Sequence, residues 1–123
     1  MGAIRQFLSD IVWGDLDFLL IDLPPGTGDE PLSVAQLLPE MDGVIIVTIP
    51  SEVSQIVVKK AVTFARQLQL PIIGIVENMS GFECPTCGTK VDIFSSGGGK
   101  KIAEEMGVPF LGSIPLEQNV CKD

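Results

Sequence analysis

The segment from Asp17 to Glu30, DFLLIDLPPGTGDE, changes character in its middle and decides how the rest of the chain is interpreted. Its first half contains the apolar run Phe18–Ile21, which is too short for a helix and is flanked by acidic residues. That pattern is typical of a buried strand in a parallel sheet. The second half cannot extend a strand, because its prolines lack ladder donors and its glycines favour turns. The segment therefore predicts a central strand that ends on Asp22.

The position of Asp22 suggests a chemical role. In open α/β sheets ligands bind outside the carboxyl ends of the strands, where a carboxylate can hold hydrated Mg²⁺ on a nucleotide. An Asp that only caps a turn is the simpler alternative. The continuation PPGTGDE favours the nucleotide interpretation, because it resembles the Walker B and switch segment of the MinD/ParA-like P-loop ATPases. Within that group it is most similar to the Mrp-type iron–sulfur cluster carriers.

Length and composition limit the class of protein. A chain of 123 residues corresponds to one domain that can bury about two-thirds of its unfolded surface. A hydrophobic content of 46% with a net charge of -8 argues against disorder and against a nucleic-acid groove, which needs a basic face. No apolar stretch is long enough to cross a bilayer and no signal peptide is visible, so we expect a cytoplasmic protein with no membrane partner.

The rest of the chain alternates helical and strand patterns. Helices are predicted at residues 3–12, 31–38 and 52–68, and another from the glycine-rich SSGGGKK segment to Gly107. Further strands are predicted at Gly43–Thr48, Ile72–Val76 and Phe110–Pro115. The alternation predicts an α/β fold with a mostly parallel sheet of about four strands and helices on both faces. With the resemblance, residues 1–123 would be a single, partial P-loop ATPase domain.

The sharpest chemical motif is FECPTCG, which begins at Phe82. Two thiolates separated by two residues can chelate one metal, in a turn that points both sulfurs the same way. Half of a zinc ribbon, half of an iron–sulfur site and a thioredoxin-like redox pair all fit this spacing. The redox pair is least favoured, because it normally opens a helix, whereas an extended run follows here. We expect Cys84 and Cys87 to ligate a metal in a loop at residues 82–90.

The number of ligands indicates a second source of thiolates. The sequence contains three cysteines and no histidine, and four sulfur ligands are usual for zinc or a cluster. Cys121 is a weak third candidate, because it follows the last predicted strand on a tail. A symmetric dimer would place two CxxC pairs face to face. The resemblance implies the same, since Mrp-type carriers bridge a [4Fe–4S] cluster across a homodimer and deliver it to apo iron–sulfur proteins.

The likeness to the Mrp-type carriers extends over nearly the whole chain. The similar segments, in order, are DLPPGTGDE, TIPSEVSQ, VENMSGF, CPTCG, DIFSSGGGKK and GVPFLGSIPL. The resemblance implies an ATPase that binds ATP with Mg²⁺, with Asp22 as the Walker B carboxylate. It also implies a base pocket formed by Asn78, Pro115 and Leu116. Judged without the resemblance, Asn78 is more simply a turn residue.

The P-loop of that family, a Lys-Gly-Gly-Val-Gly-Lys type of sequence, does not occur in these 123 residues. The chain therefore resembles the C-terminal portion of a carrier. The GGGKK run is no replacement, because Lys100 is followed by Lys101 rather than by Ser or Thr, and it allows at most weak anion binding. We expect metal binding to be retained better than ATP turnover. A zinc-stapled, non-enzymatic dimerisation module and a MinD-like positioning ATPase remain as alternatives.

Overall fold

A computed structural model describes residues 2–121, apart from the side chains of Val120 and Cys121. The suggested role of Cys121 as a ligand therefore lies outside the described part. The chain divides into two compact units, with the boundary between Asp42 and Gly43. The described elements are, in order, α1 Gly2–Ser9, α2 Asp29–Leu37, β1 Val44–Thr48, α3 Glu52–Gln67, β2 Ile72–Glu77, β3 Phe82–Glu83, β4 Lys90–Val91, α4 Gly98–Met106, β5 Phe110–Ser113 and the 3₁₀ helix Gln118–Cys121.

Our prediction of a strand at Phe18–Ile21 is wrong. The segment between α1 and α2 has no regular structure, and Phe18 and Leu20 are 84% and 87% exposed. A parallel strand needs a neighbouring strand to pair its backbone N–H and C=O groups. Within residues 2–121 no strand pairs with this apolar run. Asp22 consequently lies in an exposed, irregular segment and not at the end of a strand.

The second half of the same segment does lead into a helix. Helix α2 begins at Asp29, two residues before the predicted start. Asp29 and Glu30 both fall in its first turn, where carboxylates interact favourably with the helix dipole. Pro31 also lies in this turn, where the N–H that proline lacks would have no intrahelical partner.

The second unit contains a three-stranded parallel sheet in the order β1-β2-β5. Its strands agree closely with the predicted ones, since Val44–Thr48, Ile72–Glu77 and Phe110–Ser113 differ from them by only one or two residues at their ends. The predicted α/β class with a parallel sheet is therefore confirmed. The sheet has one strand fewer than expected, because the run before Asp22 is unpaired.

Helices α3 and α4 pack on the same face of this sheet. The Ser51 side chain caps α3 by accepting a hydrogen bond from the N–H of Ser54, as its position before the helix predicts. The core between helices and sheet is formed by Val58, Val62, Ile75, Ile102 and Ala103. No described helix of this unit covers the opposite face, and none in the described chain is long and apolar enough to span a membrane.

The opposite face of the sheet is apolar and exposed. Strand residues alternate between the two faces, and the neighbours of the core-packed Ile46, Ile72 and Phe110 point away from the helices. The four large apolar residues concerned are between 43% and 64% exposed: Ile45, Val47, Ile73 and Leu111. We call these four residues the open sheet face.

Candidate functional site

The two cysteines of the CxxC motif lie at the end of a short antiparallel hairpin. Strands β3 and β4 pair Phe82 with Val91 and Glu83 with Lys90. The loop between them is closed by two backbone hydrogen bonds: the N–H of Cys84 donates to the carbonyl of Thr89 at 3.0 Å, and the N–H of Gly88 donates to that of Cys84 at 2.8 Å. Gly88 has a φ of 69°, which favours glycine. The hairpin therefore fixes the backbone around both sulfurs.

The two thiols have different surroundings. Neither is in a disulfide bond; Cys84 is half-buried and Cys87 is exposed. The Sγ of Cys87 lies 3.1 Å from the Oγ1 of Thr89. Hydrogen bonds from the Thr89 hydroxyl, the Thr89 backbone and the Cys84 thiol lower the pKa of the Cys87 thiol below its usual value, in that order of size. Since the thiolate is the form that binds metals, the lowered pKa favours Cys87 as a metal ligand.

The contribution of Thr89 can be tested by removing its hydroxyl. Replacing Thr89 with Val keeps the shape of the side chain but removes the largest cause of the lowered pKa. We expect the pKa of the Cys87 thiol to rise, so that at a pH below that pKa a smaller fraction is thiolate and alkylation is slower. The measurement is the rate of alkylation of Cys87 against pH in the metal-free protein, read by peptide mass spectrometry.

The matched control for this experiment is Thr63→Val. Thr63 is also exposed, but its hydroxyl donates to the Lys59 carbonyl within helix α3. This variant should leave the pH profile of Cys87 unchanged. Superimposable profiles for the Thr89 variant and the unmodified protein would contradict the assigned cause.

The hairpin supplies two ligands and no more. Within residues 2–119, whose side chains the structure describes, no group of three or more Cys, Asp or Glu side chains lies close enough to hold a metal ion. Two thiolates two residues apart suit zinc or an iron–sulfur cluster, both of which usually take four sulfur ligands. A complete site on this hairpin would therefore need ligands from outside the described residues.

The three residues expected at a nucleotide base lie beyond the carboxyl ends of two adjacent strands of the sheet. Asn78 follows β2, and Pro115 and Leu116 follow the neighbouring strand β5. The N–H of Ile114 donates to the carbonyl of Glu77 at 2.7 Å, which holds the two strand ends together. The Asn78 side-chain oxygen accepts a hydrogen bond from the N–H of Met79, as a turn residue would. The amide NH₂ group of Asn78 is the part suited to a base contact.

The base-side residues and the hairpin are connected directly. The N–H of Leu116 donates to the carbonyl of Gly81 at 2.8 Å, and Leu116 forms a parallel bridge with Phe82 at the start of the hairpin. Five of the predicted site residues thus belong to one connected part of the second unit. Asp22 belongs to the first unit, where it is exposed.

Sequence reasoning missed Glu77, which is fully buried at the end of β2. Its carboxylate accepts hydrogen bonds from the Ser80 hydroxyl and from the N–H groups of Gly97 and Gly99 at the start of α4. The sequence feature that could have indicated Glu77 is its position as the acidic last residue of an otherwise apolar strand, IIGIVE. Two of the N–H groups at the GGGKK segment, those of Gly97 and Gly99, are therefore already paired within the protein, which makes the segment less suited to binding an anion.

Comparisons with known proteins identify the family to which the chain is similar. The family model for the ParA group described as the NUBPL iron-transfer P-loop NTPase matches residues 1–123. An iron-sulfur cluster carrier protein of Methanocaldococcus jannaschii is 65% identical over 116 residues, which are 94% of this chain and 40% of that protein. The cytosolic Fe-S cluster assembly factor CFD1 of Saccharomyces cerevisiae is 52% identical over 118 residues, again 94% and 40%.

A solved structure has the same fold. It is the nucleotide-binding protein from Archaeoglobus fulgidus in complex with ADP, in which cobalt was found, and it is 45% identical to this chain. The superposition has a TM-score of 0.83 and covers 98% of this chain and 49% of that one. The chain thus spans about two-fifths to one-half of the length of these relatives.

Proposed function

Because the chain belongs to the NUBPL iron-transfer P-loop NTPase family, we propose that it carries an iron–sulfur cluster on Cys84 and Cys87. The membership confirms the resemblance to the Mrp-type carriers. The observation that carries the proposal is the hairpin, which presents two thiols outside disulfide bonds, one of them with a lowered pKa. The names of the archaeal and yeast relatives support an iron–sulfur cluster as the bound group. The yeast name also supports a cytosolic location.

The cluster is a [4Fe–4S] cluster shared by two copies of the chain. Such a cluster usually takes four cysteine ligands, and each hairpin offers two. The exposure of Cys87 supports this arrangement, because a second hairpin can approach an exposed sulfur. The same exposure suits delivery, since the thiolates of an apo iron–sulfur protein must reach the cluster in order to replace the carrier's cysteines.

A nucleotide belongs to the intact carrier. Asn78, Pro115 and Leu116 contact the base of ATP, and Asp22 serves on the Mg²⁺ side. Support comes from the position of the first three at the carboxyl ends of two adjacent parallel strands, where α/β proteins bind ligands. The ADP bound by the Archaeoglobus fulgidus protein supports the same assignment.

A zinc-stapled dimerisation module is the second candidate. Two cysteines in a tight hairpin turn, with a glycine at positive φ after the second, are also typical of a structural zinc knuckle. In that case the paired hairpins would hold two chains together and would carry no cargo.

Anaerobic purification followed by iron, sulfide and zinc analysis separates the two candidates. For the carrier we expect about four iron and four sulfide ions per two chains, with visible absorption that bleaches on reduction. About one zinc per two chains, a colourless protein and no sulfide would favour the dimerisation module instead.

A further inference from the structure

The carboxylate of Glu77 is the only fully buried acidic side chain in the described chain, and the proposed chemistry does not use it. A buried carboxylate is tolerated only when hydrogen bonds replace its water, and Glu77 has three donors. Two of these donors are N–H groups at the start of α4. The third is the Ser80 hydroxyl, at 2.6 Å, and this bond connects Glu77 to the segment that follows β2.

Ser80 lies in a turn that cannot be stable by itself. The residues on either side, Met79 and Gly81, have φ values of 54° and 78°. Positive φ is acceptable for glycine but unfavourable for methionine, so surrounding bonds must hold this turn in place. Ser80 provides two of them, because its hydroxyl donates to Glu77 and its backbone N–H donates to the carbonyl of Ile114 at 2.9 Å.

The turn sets the position of the hairpin. Gly81 accepts the hydrogen bond from Leu116, and Phe82 both bridges to Leu116 and begins strand β3. Cys84 follows one residue after that strand ends. A change in the turn therefore moves the two-stranded hairpin, which has few other attachments to the sheet among the described residues.

We propose that Glu77 and Ser80 are positioning residues for the thiolate pair. Glu77 fixes the Ser80 hydroxyl, Ser80 holds the turn at residues 79–81, and the turn orients the hairpin that carries Cys84 and Cys87. The base-side residue Leu116 is bonded to the same turn, so movement at the nucleotide base reaches the thiolates by this route. The functional meaning of this arrangement rests on the proposed cluster and nucleotide sites.

The test uses Ser80→Ala, with Ser80→Thr as the conservative variant that keeps a hydroxyl. In metal-free protein, we expect the alanine variant to raise amide hydrogen exchange of Cys84 and Leu116 about tenfold, the size expected for losing a bond to a charged acceptor. Exchange of the core amide of Ile75 should not change. With Co²⁺ as the probe, the thiolate-to-cobalt absorption should require about tenfold more metal. The threonine variant should restore both values.

Two further variants complete the design. Thr63→Ala, which removes a hydroxyl within α3, should change neither readout. Glu77→Gln places an amide NH₂ among N–H donors, so it should accelerate exchange at Gly97 and Gly99 as well as at the hairpin.

The outcomes distinguish this inference from the proposed function. Equal exchange at Cys84 and Leu116 in the alanine variant and the unmodified protein would overturn the positioning role. If the exchange pattern appears but the protein binds no cluster, the positioning role stands and the cluster proposal fails. If all Ser80 variants bind the cluster equally well and their exchange is unchanged, the cluster proposal stands and the positioning role fails.

Discussion

Serine in place of Cys84 or of Cys87 is expected to abolish cluster binding completely. A serine hydroxyl stays protonated at neutral pH and is a poor ligand for iron, whereas a cysteine thiol loses its proton more readily, and the pKa of Cys87 is lowered further. In a two-plus-two site each single replacement removes two of the four ligands, so no stable cluster should remain. The measurement is iron and sulfide content after anaerobic reconstitution, with sedimentation to follow the dimer, which should weaken in parallel.

Cys121→Ser is the matched control for this experiment. Under the two-plus-two arrangement this variant should bind as much cluster as the unmodified protein and form the same dimer. Equal loss of cluster in the Cys121 variant would refute that arrangement. The Cys84 and Cys87 variants should melt cooperatively, because the hairpin cysteines are absent from the core formed by Val58, Val62, Ile75, Ile102 and Ala103.

The second large effect concerns ATP. We expect no measurable hydrolysis by the 123-residue chain and only weak nucleotide binding. Phosphoryl transfer depends on a cradle of N–H groups and a lysine around the phosphates, which this sequence does not contain. Loss of a single such donor can lower kcat by about 10²–10³, so loss of the whole cradle puts turnover below detection. The net charge of -8 further repels the anion.

Calorimetry with Mg-ATP and a phosphate-release assay measure this prediction. Adding a polypeptide with a strand and a P-loop of the Lys-Gly-Gly-Val-Gly-Lys type should raise both binding and turnover, and Asp22→Ala should remove the gain. Tight binding with turnover by this chain alone, insensitive to Asp22→Ala, would show that the P-loop or the carboxylate has been assigned the wrong role.

Local patterns predicted the elements whose partners lie within the chain. The run Val44–Thr48 is β-branched and apolar, and it forms a strand because β2 is available beside it. Phe18–Ile21 has a similar pattern, yet it forms no strand in the described chain because no strand pairs with it. Periodicity reports what a segment can form, and pairing decides what it does form.

The candidate site divides in the same way. The cysteine pair could be predicted because its spacing is a property of seven consecutive residues. Thr89 lies two residues beyond Cys87, so attention to the hydroxyl after the motif could have found it. Glu77 could not be assigned a role, because its partners Gly97 and Gly99 are about twenty residues away and meet it only through the packing of α4 on the sheet.

The open sheet face has a consequence for the behaviour of the isolated chain in solution. Four exposed aliphatic side chains on one flat surface attract copies of the protein to one another, and the net charge of -8 keeps those copies apart. Salt screens that repulsion over about 10 Å at 0.1 M, and acid removes it by protonating carboxylates. The colloidal stability of the chain is therefore greatest in dilute, neutral buffer, and preparations should self-associate as ionic strength rises or pH falls.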